Sequence, residues 1–190
     1  RIDAGGVVDD ATFEIAPGAS AWELNQRCHE ICEQRFLHVL DALARDVLQP
    51  RPQQLEHRRY YSGKRRWLGA GLVSWAWSAE LIDRVVRAHT LGSSPNALGV
   101  PCCIIGSEPF VITDLAIDAE NASEAAGNIL DMDGAAVRIA TGTRTVWLRA
   151  GRTLDGRDVA PSTLARSGGL RIGAGLWCAR ERELEGFERE

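Results

Sequence analysis

Apolar positions recur at helical spacing through Leu24, Cys28, Ile31, Cys32, Phe36, Val39, Leu40, Leu43 and Val47. That stripe predicts one amphipathic helix of about seven turns. Ser20-Ala21-Trp22-Glu23 marks its start: the serine hydroxyl takes an orphan amide while Glu23 reaches back to the cap. The helix must end before Pro50-Arg51-Pro52, which cannot be helix interior. Ahead of it, Val7-Val8 through Phe13 to Ile15 reads as a β-rich run ending at Pro17-Gly18. The helix is expected to pack on a sheet and to support the loop before Val7.

From Gln49 to Val73 periodicity is lost, and Gln, Arg, Gly and Pro dominate, as in a linker between domains. Trp67, Trp75 and Trp77 cluster at the start of the next segment and are expected to fill an interdomain seam. Ser78 then caps a second helix, Ala79 to about His89, with Leu81, Ile82, Val85 and Val86 inward. From Pro101 the pattern changes to short β-runs between turns: Cys102–Ile105, Phe110–Ile117, Asn128–Asp131, Ala136–Ala140 and Thr145–Leu148. Five short strands after a helix predict a small β-barrel of the OB type. Ser162 to Ala165 makes a helical turn, and Arg180 to Glu190 alternates charges as an exposed terminal helix or frayed tail. The domains are therefore read as 1–48, a linker over 49–73, and 74–190.

Charge and composition narrow the function classes. The apolar fraction of 45% and charged fraction of 25% are those of a soluble globular protein. No apolar run approaches the length of a membrane span, and no leader peptide is recognisable. The first residue is Arg, so the chain is expected to be a fragment. The net charge is −4, and residues 63–190 hold 15 Lys and Arg against 16 Asp and Glu. A broad basic face for nucleic acid is thus disfavoured, although Arg58-Arg59 and Lys64-Arg65-Arg66 offer local phosphate contacts.

The five cysteines form no pair of metal-binding motifs. Cys28 and Cys32 lie one helical turn apart, but His29 points about 100° away from Cys28 and joins neither on one face. No metal is expected. Buried small side chains in a reducing cytoplasm account for these thiols best. Asp131-Met132-Asp133-Gly134 begins like a calcium loop but lacks its later ligands, so a hairpin turn is expected there. Gly173-Ala174-Gly175 lacks the strand-turn-helix context of a phosphate loop.

The candidate chemistry starts at Asp3. The order Asp3-Ala4-Gly5-Gly6 cannot continue a helix, because glycine gives up too much backbone entropy there, so the carboxylate is displayed from a loop. A plain turn aspartate is the alternative. Tyr60-Tyr61 either meets a substrate or staples the linker down. Arg87 either binds an anionic group or covers a seam while pairing with a carboxylate.

The succession Asp3-Ala4-Gly5-Gly6, the long capped helix, Tyr60-Tyr61-Ser62-Gly63-Lys64, Ser74-Trp75, Ser78-Ala79-Glu80-Leu81-Ile82 and Val86-Arg87-Ala88 resembles the back half of the formyltetrahydrofolate-dependent formyltransferases. These include methionyl-tRNA formyltransferases and amino-sugar formyltransferases. The resemblance runs from Arg1 to about Leu176. It implies the α/β end of a formyltransferase catalytic domain followed by a small OB-like β-barrel domain. It implies 10-formyltetrahydrofolate as the donor and an amine as the acceptor, with Asp3 catalytic and Gly5 and Gly6 against the folate. On the same footing Tyr61 and Arg87 contact substrate.

After Arg87-Ala88 the family carries a substrate loop bearing an aromatic residue and a proline. Here it reads Leu91-Gly92-Ser93-Ser94-Pro95-Asn96-Ala97-Leu98-Gly99, with only the proline and alanine in place. That departure and the neutral second half point to a small-molecule amine, such as an amino-sugar nucleotide or a hydroxylated ornithine. The alternatives are methionyl-tRNA formylation and a noncatalytic OB-like binding module. The family's Asn and His would lie upstream of Arg1, so the 190 residues alone are expected to be inactive.

Overall fold

The computed structural model describes residues 5–54, 56, 58, 59, 71–92, 96 and 99–178. The chain divides into two compact units, Arg1–Ser62 and Gly63–Glu190. Asp3, Trp67, Tyr60, Tyr61 and the charged tail from 179 lie outside the described residues.

The first unit is built on α1 (Ala21–Ala44), 24 residues long. Its capping box forms as the sequence predicts: Glu23 N donates to Ser20 Oγ at 3.3 Å, and Ser20 N donates to Glu23 Oε2 at 2.7 Å. After Arg45 the chain turns through Asp46 at φ 58° and runs back past the start of the unit. Val7 and Arg51 exchange both backbone hydrogen bonds, at 2.8 and 2.9 Å. The expected β-run from Val7 to Ile15 reduces to that one bridge. A strand needs a ladder partner, and residues 8–15 have none among the described residues. Nor does α1 lie on a sheet here: none of its residues is buried, and Phe36 and Leu43 are 60% and 62% exposed. Cys28 and Cys32, expected to be buried, are exposed.

The second unit carries the hydrophobic core. Its strands are β1 (Cys102–Ile105), β2 (Glu108–Asn121), β3 (Ile129–Asp131), β4 (Val137–Ala140) and β5 (Arg144–Thr153). They form one antiparallel sheet in the order β1-β2-β5-β4-β3. All five strands foreseen in the sequence are present, with β2 and β5 longer than their apolar runs. Each of those two extends through polar residues because the other supplies a ladder partner, which local patterning does not encode.

Register shifts along β2, first between Ile112 and Asp114, mark bulges that bend and twist the strand. The sheet curls into a half-barrel. Leu72 bridges the outer edge of β1, and Gly175 bridges Asn128 beside β3; among the described residues no bridge joins β1 to β3.

Helix α2 (Ala79–His89) lays Ala79, Ile82, Val85 and Val86 against β2 and β5. Helix α3 (Pro161–Ser167) packs on β5 and β1, with proline in its first turn. Between these layers Phe110, Ile112, Ile129, Ile139, Val146 and Leu148 are fully enclosed. Trp75 is buried in the same core rather than spent on a seam. Its indole Nε1 is the one buried side-chain nitrogen or oxygen without a hydrogen-bond partner among the described residues.

Candidate functional site

The loop that follows Asp3 is held from one side. Gln53 Nε2 donates to the Gly5 carbonyl at 2.7 Å, and the Val7–Arg51 pair continues the clasp. Gly6 is required by that approach, since a Cβ there would stand 2.7 Å from the Pro50 Cβ and 3.3 Å from the Arg51 carbonyl oxygen. Gly5 differs: among the described residues nothing lies within 4 Å of where its Cβ would be. The chain's own packing therefore explains Gly6, whereas no described residue fills the space over Gly5.

Beside this clasp lies an open depression of about 660 Å³, with Val7, Asp10, Arg51, Gln53, Arg58 and Arg59 in its walls. Arg51 pairs with Asp10, so one carboxylate faces three guanidiniums. Such a surface attracts anionic groups, which arginine receives through two parallel N–H donors.

The 8–13 segment also forms an apolar groove of about 470 Å³ against α1, lined by Phe13, Cys28, Ile31, Cys32, Phe36 and Val39 among others. At its rim Arg35 grips Asp9 with both its Nε, at 2.6 Å, and its Nη2. That contact holds the Asp9 carboxyl below its ordinary value. The pair is separated by 26 residues, and nothing in local patterning announces it.

In the second unit the Ser78-Ala79-Glu80 motif is a brace. Ser78 Oγ accepts from Leu81 N at 3.2 Å, capping α2. Glu80 Oε1 accepts from Arg144 Nε and Nη2 at 3.0 and 2.6 Å, and Thr143 Oγ1 accepts from Ala79 N at 3.1 Å. The turn between β4 and β5 is thereby pinned to the start of α2. Gly142 closes the contact: its N donates to the Trp77 carbonyl at 2.9 Å, and a Cβ there would lie 2.3 Å from the Ala76 carbonyl oxygen.

Arg87, read from the sequence as a substrate contact or a carboxylate's partner, ion-pairs with Asp83 at 2.9 Å one turn earlier. Of the other residues singled out in the sequence, Asp3 and Tyr61 are outside the described set, and Gly5 and Gly6 are adjacent to the cationic depression. No cluster of three or more metal-ligating side chains occurs among the described residues. Likewise, no described helix is long and apolar enough to cross a membrane.

Comparison with known proteins matches residues 69–168 to the family described as formyl transferase, C-terminal domain. A methionyl-tRNA formyltransferase of Roseiflexus sp. (strain RS-1) is 30% identical over 179 residues, which is 91% of this chain and 52% of that protein. A methionyl-tRNA formyltransferase of Chloroflexus aurantiacus is 30% identical over 88 residues, covering 46% of this chain and 28% of its own. The chain thus spans about half the length of the Roseiflexus relative, and less of the other. Among solved structures, HypX from Aquifex aeolicus in complex with tetrahydrofolic acid superposes with a TM-score of 0.63 at 18% identity, over 94% of this chain and 32% of that one. The likeness to HypX establishes a shared fold.

Proposed function

From the premise that this chain belongs to the formyl transferase family through its C-terminal domain, we propose that it is part of an N-formyltransferase acting on a small-molecule amine. The family's donor is 10-formyltetrahydrofolate, and a structural neighbour carries tetrahydrofolate. Catalysis of formyl transfer needs a group that manages the amine proton, and donors for the tetrahedral oxyanion. Asp3 fills the first need by orienting and charge-stabilising a histidine contributed from upstream. The folate passes over Gly5, where the space is open, and its carboxylates or the acceptor's anionic groups meet Arg58 and Arg59.

The observation that carries this proposal is the open face at Gly5 beside the arginine-lined depression. The exposed apolar stripe of α1 supports a further part of the proposal, that the remainder of a catalytic domain covers it. On this view the 190 residues alone do not turn over, because the family's Asn and His lie elsewhere in the protein. Tyr61 and Arg87 stay as acceptor contacts, Arg87 doing so only by exchanging its bond to Asp83.

The alternative acceptor is methionyl-tRNA, after which the two relatives are named. Measuring formyl transfer by the longer protein to an amino-sugar nucleotide, to hydroxyornithine and to methionyl-tRNA separates the two. Transfer to either small amine, with little dependence on salt, supports the first. Transfer to tRNA alone, falling steeply with salt, overturns it.

A further inference from the structure

A second cavity lies wholly within the curled sheet's unit, where the end of α2 meets β2 and β5. It encloses about 220 Å³, room for roughly seven waters at about 30 Å³ each. Most of its wall is apolar, and the polar side chains in it are few: His89, Thr90, Asn96, Thr113 and Arg152. That composition, apolar lining with a small number of polar groups, is the usual make-up of a small-ligand site.

Two of those groups are held ready. His89 is only 8% exposed, and its Nδ1 lies 2.9 Å from the Val85 carbonyl oxygen. A carbonyl only accepts, so Nδ1 carries the hydrogen, and in that tautomer Nε2 carries a lone pair. Nε2 has no protein partner among the described residues, yet it is not among the atoms sealed from solvent without one. Among the described residues it is an acceptor without a donor.

Arg152 is the complementary case. It forms no ion pair among the described residues, even though Asp158 sits across a backbone bridge from it. Asp158 instead lines an adjoining depression together with Arg149 and Gly151, with Thr113 shared between the two. Among the described residues, His89 and Arg152 are the titratable side chains that line the cavity.

The strand itself is shaped for the site. Thr113 is the unpaired residue where the β2–β5 register shifts between Ile112 and Asp114, and such a bulge re-aims a side chain out of the regular alternation. Thr90 Oγ1 donates to the Val86 carbonyl at 2.8 Å, and Asn96 Nδ2 donates to the His89 carbonyl at 3.0 Å. The end of the helix is therefore satisfied without the polar atoms at Nε2 and on Arg152.

We infer that this cavity binds a phosphate group that keeps one hydroxyl, either free hydrogen phosphate or the monoprotonated form of a phosphomonoester, which holds that proton below about pH 6. The guanidinium donates to the oxyanion oxygens while the P–OH donates to His89 Nε2. A sulfate has the same shape and charge but no proton at neutral pH, so it cannot satisfy the imidazole acceptor. The test does not require formyl transfer, since the residues it reads all lie in the second unit, although Leu91, Gly92 and Asn96 in the cavity wall belong to the segment where the family carries its substrate loop.

The test is a titration of the 190-residue chain with inorganic phosphate at constant ionic strength, followed by amide 1H–15N spectra, with sulfate as comparator. Saturable shifts at Thr90, Gly92 and Thr113 are expected, with sulfate weaker by about tenfold for one lost hydrogen bond to a charged group. Arg152→Gln should abolish them. Arg152→Lys, which keeps the charge but not the fork, should weaken binding while the rest of the spectrum shows the fold intact. Shifts that never saturate, that match between phosphate and sulfate, or that persist in Arg152→Gln would overturn the assignment. A phosphomonoester added in place of phosphate below about pH 6, where it keeps its hydroxyl, distinguishes the two sources, since it gives the same shifts only if the cavity admits the ester group.

Discussion

Glu80 receives two hydrogen bonds from Arg144 through a single carboxylate oxygen, across 64 residues of chain. The Ser-Ala-Glu motif at the head of α2 is therefore a fastening between a helix and a hairpin. Both side chains are partly exposed, so the bond is worth little in bulk energy and most in register. Glu80→Gln is expected to lower Tm by no more than a few degrees. It should also speed amide exchange in the turn over Thr141 to Thr143, as read by hydrogen exchange.

The same contact sets a pH dependence. The Glu80 carboxyl is held below the ordinary glutamate value of 4.5, first by its own backbone amide and then by Arg144. A depressed folded pKa contributes stability that is present above the unfolded value and lost as the pH falls through the folded one. Wild type and Glu80→Gln should therefore differ in Tm above about pH 4.5, the unfolded value, and converge at lower pH. A difference that grew on acidification would refute the assignment.

Gly142 is the steric side of that fastening. Alanine there would meet the Ala76 carbonyl oxygen at 2.3 Å, and backbone atoms yield less than a flexible side chain. Gly142→Ala should cost about 1–3 kcal/mol, as for other overpacked sites, measured as a lower urea midpoint at unchanged m-value.

The sequence disclosed the second unit well and the first poorly, for a physical reason. Strands such as Cys102–Ile105 and the capped helix from Ala79 bury their apolar faces inside their own unit, so pattern and packing agree. Capping at Ser20 was legible as well, because it is a four-residue interaction. By contrast, the apolar stripe of α1 announces a partner that the described residues do not contain, and Val7–Ile15 has strand composition without a second strand. Long-range pairs such as Asp9 with Arg35, or the cavity joining His89 to Arg152, leave no local trace. At the site, Gly5 and Gly6 were indistinguishable as letters; only the position of Pro50 separates them.

That separation is testable. Gly6→Ala must displace Pro50 and should break the Val7–Arg51 exchange, raising the hydrogen-exchange rate of both amides. Gly5→Ala should leave those rates unchanged, since no described residue occupies the space above it. Equal effects of the two would remove the structural case for an open face at Gly5.

Thiol reactivity should divide by burial. Cys28 and Cys32 are exposed, whereas Cys103 is fully enclosed and burial pushes its thiol far up. The thiolate is the reactive form. A disulfide reagent should label Cys28 and Cys32 in the folded chain, and should reach Cys103 only after denaturant is added, as mass spectrometry of the labelled peptides will record.

Asp3 is the center of the functional proposal, and one comparison tests it directly: turnover of 10-formyltetrahydrofolate by the longer protein with Asp3 intact and with Asp3→Asn. If Asp3 manages the proton of the transferring centre, the asparagine variant should lose roughly 100-fold or more in kcat, the usual scale for a positioned acid–base group, while still binding tetrahydrofolate. Turnover undiminished in Asp3→Asn would contradict the account.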